Sequence, residues 1–369
     1  MILTARPFAT GEPLALEVTA GRITALAPTA DSSGLPWVAP SFFDPQINGC
    51  LGRGFVSPDL TPDDVRLIAE TCRGHGIGRF CPTLITNSFD AIHRGFATLT
   101  RTLAADAELA AWLPCFHLEG PYLSGEDGAR GAHPREHTRD PDWDEFRRWQ
   151  DAADGRIRMV TVAPERAGAL PFIERLTAAN VVVAIGHTLA TGEQIRDAVT
   201  AGAKTSTHLG NGCPAVLPRH DNPIWEQLAC DELFASIIAD GYHLPPAVVK
   251  CIVRMKADRV LLTCDAGTLA GLPPGRYRDW GTEMEVLPGG KIVVAGTQYL
   301  AGSGVFTDAC VAGVMRLGGV NLQDAITMAS VRPRELLGEP VPRIAVGERA
   351  ELVLFDLVDG ELRVRQVVG

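Results

Sequence analysis

Short apolar runs alternate with amphipathic stretches along most of the chain. The runs WVAPSFFDPQIN (37–48), IGRFCPTLIT (77–86), WLPCFHLEGP (112–121) and RIRMVTVAPE (156–165) read as strands. VVVAIGHT (181–188), AKTSTHL (203–209), FASIIAD (234–240) and RVLLTCDA (259–266) continue the series. Between them the pattern is helical. TPDDVRLIAETCRGHG has Thr61 as cap and Pro62 at the first helical position. SFDAIHRGFATLTRTLAAD, WDEFRRWQDAAD, ALPFIERLTAAN, NPIWEQLACDE and PPAVVKCIVRMKA follow the same period. Eight strands alternating with helices predict an α/β fold, a (β/α)8 TIM barrel. Beyond the eighth strand, GGKIVVAG predicts a hairpin, and TDACVAGVMRLGG and NLQDAITMASVRPRELLG supply closing helices.

The two ends have a different period. LALEVTAGRITALAPTA alternates apolar and polar residues about a turn at Ala20-Gly21, and ERAELVLFDLVDGELRVRQVVG does so about Asp359-Gly360. Neither end has enough strands for a stable sheet alone. They are therefore expected to pair, residues 1–40 with 340–369, as a small β-sandwich domain flanking a barrel of residues 41–339.

Composition narrows the function classes. The 369 residues are 46% hydrophobic and 21% charged, ordinary for a globular chain with a sizeable core. A net charge of −10 argues against nonspecific nucleic-acid binding. The nine cysteines have no CxxC pair and read as reduced thiols. MILTARPFATGEP lacks a basic segment followed by an apolar one, and no apolar run approaches bilayer length. A cytoplasmic protein with no membrane partner is expected.

The chemistry is densest between Ala184 and Pro214. Two strands there each end in a histidine, His187 and His208. The helix between them carries a capping box (Thr191 with Gln194), an apolar stripe of Ile195, Ala198 and Val199, and a terminating Gly202. A βαβ unit makes its strands parallel, so both imidazoles emerge at one sheet edge. Strand three ends in Glu119 and strand eight in Asp265. Two imidazoles and a carboxylate suffice for a catalytic divalent cation, and a further carboxylate beside it can act as general base. Taken singly each residue has a plainer reading: a satisfied core histidine, a loop cap, a turn former. Glycine- and proline-rich segments at 125–141, 210–223 and 267–277 fall after strands three, six and eight, where they would crown the same face.

The segments FFDPQINGCLG, RFCPTLIT, FHLEGPYL, GAHPREH, VTVAPE, AIGHT, STHLGNGCP, IIADGYH, LLTCDAG and YLAGSG stand in the order found in N-acetylglucosamine-6-phosphate deacetylases of the amidohydrolase superfamily. The resemblance spans essentially the whole chain. It implies removal of the acetyl group from N-acetylglucosamine 6-phosphate, giving glucosamine 6-phosphate and acetate. It also implies one divalent ion per chain, Zn2+ or alternatively Fe2+ or another divalent metal, held by Glu119, His187 and His208. Asp265 resembles the catalytic aspartate that takes a proton from the attacking water and returns it to the leaving amine. His133 matches a residue contacting the sugar, and Asn211, Gly212, Arg219 and His243 match a phosphate site. A homodimer is implied as well. Open alternatives are an amidohydrolase acting on another N-acyl sugar or N-acyl amino acid, or a sugar-phosphate-binding protein without activity.

Three departures from the family pattern stand out. Where many superfamily members have His-x-His after strand one, this chain has Gln46-Ile47-Asn48. Amides are poor ligands beside imidazole, so a mononuclear site is expected, with Gln46 and Asn48 as hydrogen-bonding residues of the mouth. The loop Leu209-Gly210-Asn211-Gly212-Cys213-Pro214 has lost a bulky residue and gained two glycines, which is expected to widen or loosen the pocket. The segment after it resembles the family's only loosely, leaving His220 beside Arg219 as an alternative. His117 shares the inward face of Glu119 and reads either as a support for the ligand or as a core histidine.

Overall fold

The computed structural model describes residues 1–30, 34–279 and 282–369. Eight parallel strands form its centre: β1 (Phe42–Ile47), β2 (Ile77–Ile85), β3 (Phe116–Glu119), β4 (Ile157–Val162), β5 (Val182–Ile185), β6 (Thr205–Ser206), β7 (Phe234–Ile237) and β8 (Val260–Leu262). A parallel bridge from Ile47 to Ala266 brings the last strand back to the first and closes the barrel. The crossover helices are α1 (Pro62–Gly74), α2 (Phe89–Ala105), α3 (Trp143–Ala152), α4 (Ala169–Ala178), α5 (Gly192–Thr200), α6 (Pro223–Ala229) and α7 (Pro246–Lys256), with α8 (Thr307–Gly318) after the eighth strand. Local chemistry sets their starts. Thr61 and Thr191 make complete capping boxes with Asp64 and Gln194, and Asn222 caps α6 ahead of Pro223.

The stretch 37–48, which reads as one strand, serves two sheets. Trp37–Pro40 pairs in parallel with Arg6–Pro7 and antiparallel with Leu352–Phe355, and the barrel begins only at Phe42. The switch falls at Pro40, which has no N–H to donate. Beyond it, Ser41 N–H donates to Glu351 O and buried Arg334 donates to Ser41 O. The chain ends pair as expected. A six-stranded sheet joins Ile2–Pro7, Leu14–Thr19, Arg22–Pro28, Trp37–Pro40, Leu352–Val358 and Glu361–Val368 around Leu3, Leu16, Ile23, Val38, Leu352 and Leu354. Its turns place Ala20, Gly21, Asp359 and Gly360 at positive φ, as two-residue hairpins require.

The hairpin expected at GGKIVVAG is part of something larger. Four antiparallel strands, Gly275–Asp279, Thr282–Val286, Lys291–Val294 and Leu300–Ser303, form a sheet after β8, and Ser303 bridges Ala266. GRYRD is half-exposed and polar, so hydrophobic patterning does not announce it.

One buried carboxylate ties the barrel seam. Asp44 accepts from Thr263 Oγ1 (2.6 Å), Thr307 Oγ1 (2.6 Å), Cys264 N (2.8 Å) and Gln46 N (3.0 Å). It thereby links the first strand, the eighth and helix α8. Full burial raises its pKa although all four bonds favour the charge. Asp44→Asn should therefore set an amide N–H2 against donors and cost about 2–4 kcal/mol of unfolding free energy. Chemical denaturation measures this; a variant within about 0.5 kcal/mol of the parent would mean the seam does not depend on the carboxylate.

Candidate active site

Register brings the two histidines to one level. Ile185 pairs with Ser206, and His187 and His208 each lie two residues further on. Neither continues as a strand: His187 has φ 50° and His208 φ 31°, and Asp265 beyond β8 has φ 52°. Non-glycine residues rarely occupy this region. Here it turns three side chains from three strand ends into the barrel mouth.

The donors converge closely. His187 Nε2 lies 3.1 Å from His208 Nε2, His208 Nε2 lies 3.1 Å from Glu119 Oε1, and His187 Nε2 lies 3.4 Å from that oxygen. A tetrahedral Zn2+ with ligand bonds of 2.0–2.1 Å has ligand-to-ligand edges of about 3.3–3.4 Å. The three atoms thus span one face of such a tetrahedron. His187 Nδ1–H donates to Ala129 O at 2.9 Å, which leaves Nε2 with its lone pair toward the others. Two nitrogens and a carboxylate oxygen facing one point, in a place closed to solvent, fit a divalent cation. His133 adjoins them, with Nε2 3.2 Å from His187 Nε2; Glu119, His133 and His187 form a potential metal-holding cluster among the described residues.

Charge follows from this packing. Burial opposes ionisation of Glu119, yet the neighbouring His187 and His208 imidazoles outweigh it and hold the carboxyl well below its ordinary range. Burial likewise opposes a charged His208, and Glu119 outweighs it, raising that pKa. Burial, and next the neighbouring His187, push His133 down to about 3. Asp265 moves the other way: burial, then the charge of Glu119, push it up to about 7.

Gln46 and Asn48 act on Asp265. Gln46 Nε2 donates to Asp265 Oδ1 at 2.9 Å, and Asn48 Nδ2 donates to the same oxygen at 2.7 Å. Both amides converge on one oxygen of the carboxylate.

The other expected site residues divide. Asn211 N–H donates to His208 O, and Thr188 N–H donates to Gly212 O, so the glycine-containing loop is tied down. A Cβ at Gly212 (φ +59°) would lie 2.9 Å from His187 Nδ1. The glycine therefore serves close approach of the loop backbone to the His187 ring. His243 sits in the turn after β7 with Nδ1 2.7 Å from Asp240 Oδ2, close enough to Asp265 to favour its ionisation. Arg219 is exposed on the loop before α6, where its carbonyl accepts from Trp225 Nε1; His220 is exposed beside it. His117 is buried beneath the site in a chain from its Nε2 to Thr161 and on to Thr207, next to His208. Sequence reading missed Ala129, Thr86 and Gly131, whose backbone packs on the His187 ring. Only GARGAHP as a glycine-rich approach signals any of them.

A family model described as the amidohydrolase family matches residues 37–368. An N-acetylglucosamine-6-phosphate deacetylase of Bos taurus is 36% identical over 333 residues, covering 86% of this chain and 79% of its own. An N-acetylgalactosamine-6-phosphate deacetylase of Escherichia coli is 31% identical over 346 residues, covering 92% and 90%. Among solved structures, an aspartate-to-alanine variant of the Mycobacterium smegmatis N-acetyl-D-glucosamine-6-phosphate deacetylase, in complex with N-acetyl-D-glucosamine-6-phosphate, matches with TM-score 0.87 and 32% identity over 99% of this chain and 97% of that one.

The electrostatics give a measurable consequence. Asp265 is pushed up to about 7, so it is partly protonated at neutral pH, and Glu119 raises the His208 pKa as well. A cation placed on Glu119 and the imidazoles opposes both protonated forms, so its binding should release protons at pH 7 and fewer as the pH rises. Calorimetric Zn2+ titrations in buffers of different ionisation enthalpy count these protons, and Asp265→Asn should lower the number. Proton uptake, or none released at pH 7, would contradict the charge assignment.

Proposed function

The chain belongs to the amidohydrolase family, and from that membership we propose that it is a metal-dependent deacetylase hydrolysing N-acetylglucosamine 6-phosphate to glucosamine 6-phosphate and acetate. The observation that carries this reading is the convergence of Glu119, His187 and His208 beside an Asp265 whose one oxygen is held by two amides. Glu119, His187 and His208 hold one divalent ion, for which their nitrogen and oxygen donors suit zinc. When bound, that ion acidifies water and polarises the acetamide carbonyl.

Asp265 does the proton transfer. Gln46 and Asn48 fix Oδ1, so Oδ2 takes the proton of the water whose oxygen bonds the acetamide carbon. When the C–N bond breaks, the same oxygen returns that proton to the departing amine. A pKa near neutrality suits a group that must be base and then acid. His133 faces the acylated sugar. Asn211, the Gly212 backbone, Arg219 and His243 line the side that receives the phosphate, and Arg219 on its exposed loop closes on the dianion as a two-pronged donor. Retention of a buried, oriented Asp265 argues against a binding protein without activity, which needs no base there.

Val216, Trp225, Tyr242 and Tyr299 are exposed on segments that follow β6, β7 and β8. These exposed apolar side chains on the same face support a second copy of the chain over the mouth. Residence in the cytoplasm agrees with a phosphorylated substrate, and among the described residues no helix is long and apolar enough to cross a membrane.

The Escherichia coli relative favours a second reading, in which the substrate is the galactosamine epimer. None of the residues assigned to the chemistry selects the sugar's hydroxyl configuration. A panel of N-acetylglucosamine and N-acetylgalactosamine, each with and without the 6-phosphate, decides between them. With the preferred substrate, Arg219→Ala should raise KM about tenfold or more while leaving the slow turnover of unphosphorylated sugars unchanged. Equal loss on both would remove Arg219 from the phosphate site. Asp265→Asn should keep one metal per chain and lose about 10³-fold or more in kcat; comparable turnover in that variant would refute the base assignment.

A further inference from the structure

Thr86 directly follows the second barrel strand, is fully buried, and belongs to no assignment made so far. Its Oγ1 lies 2.9 Å from His133 Nδ1 and 3.5 Å from the carbonyl oxygen of Glu119. We propose that Thr86 is a positioning residue that holds the ring proton of His133 on Nε2, making His133 a hydrogen-bond donor into the site.

Donor accounting selects this tautomer. His187 Nδ1–H is committed to the Ala129 carbonyl, which can only accept, so His187 presents a bare Nε2. Suppose His133 carried its proton on Nδ1. It would then donate to Thr86, whose own proton would have only the Glu119 carbonyl at 3.5 Å, a poor hydrogen bond. His133 Nε2 and His187 Nε2 would also face each other at 3.2 Å as two lone pairs. With the proton on Nε2 both faults vanish. Thr86 Oγ–H donates to Nδ1 at 2.9 Å, and Nε2–H points at the bare nitrogen of His187.

The hydroxyl has little freedom to do otherwise. A Cβ built on Gly120 (φ +86°) would come 2.0 Å from Thr86 Oγ1, so the backbone after Glu119 lies directly on it. A β-branched side chain is also stiff at χ1. Thr86 thus sits between a metal ligand's backbone and the His133 ring. Once His187 Nε2 is engaged by a cation, the His133 N–H is a donor without a protein acceptor. It then points to the acetamido oxygen or a sugar hydroxyl, a consequence that rests on the deacetylase reading above. The tautomer itself does not rest on it.

The test uses the full-length Zn2+-loaded protein labelled with 15N-histidine. Long-range 1H–15N spectra report which ring nitrogen carries the proton, and His133→Gln identifies the signal. The expected result is Nε2–H in the parent. Thr86→Val should mix the tautomers and lower kcat about 10- to 100-fold with metal content unchanged. Thr86→Ser should restore both the spectrum and most of the rate. A parent His133 protonated on Nδ1 overturns the proposal, as does a Thr86→Val enzyme with full kcat and an unaltered tautomer. If the valine variant does not fold, the parent spectrum still decides. If the sugar panel shows no deacetylation at all, the function falls while the tautomer result stands.

Discussion

Two imidazole nitrogens and a carboxylate oxygen held within 3.4 Å of one another are the constraint on which the rest depends. Lone pairs so placed repel, and no short-range propensity would bring them together. The barrel enforces the meeting by register: Ile185 opposite Ser206, and Thr161 opposite Glu119, set three strand ends at nearly one height. The left-handed backbone at His187, His208 and Asp265 then aims the side chains inward. Such conformations cost about 1–3 kcal/mol each and persist only where the surroundings over-determine them. Those surroundings include the core that wraps the strands and the Asp44 seam that closes the ring.

The same closure explains why one site can hold two carboxylates in opposite states. Glu119 is answered by imidazoles and stays ionised; Asp265 is answered by neutral amides and by Glu119's own charge, so its pKa rises. Environment thus divides two like groups into one held ionised and one able to take a proton near neutrality. Asp265 has Oδ1 held by both amides, which fixes the orientation of its carboxylate.

Much of this was legible in the chain. The alternation of periods located eight strands and their helices, and the βαβ unit between Val182 and Ser206 placed His187 and His208 together. Strand ends and family motifs pointed to Glu119 and Asp265, which the fold brings to the same barrel mouth as the histidines. What escaped was of two kinds. Elements whose stability is borrowed have weak signals: the polar strand Gly275–Asp279 takes its place from antiparallel neighbours, and Trp37–Pro40 joins a different sheet from Phe42–Ile47 with one serine between them. Residues that act through the backbone have none. Ala129 fixes a tautomer with its carbonyl, and Gly212 matters for the side chain it lacks.

Gly212 also shows why altered loop sequence and retained chemistry are compatible here. The loop after β6 departs from the family's wording, yet its glycine packs on the His187 ring, and its ends are bonded to His208 O and Thr188 N. Change in this loop is therefore bounded by packing on the side that touches His187 and less constrained by packing on the side that faces outward, where Arg219 and Val216 are exposed. At the barrel's opposite end, Arg334 caps Ser41 and Ser330 carbonyls over the Phe43 ring, and Arg79 pairs with Glu351, so the terminal sheet is fixed to the strand starts and not to the mouth. Stability and specificity thus draw on different ends of the same strands. A substitution in the outer loop can therefore leave the packing of Glu119, His187 and His208 undisturbed.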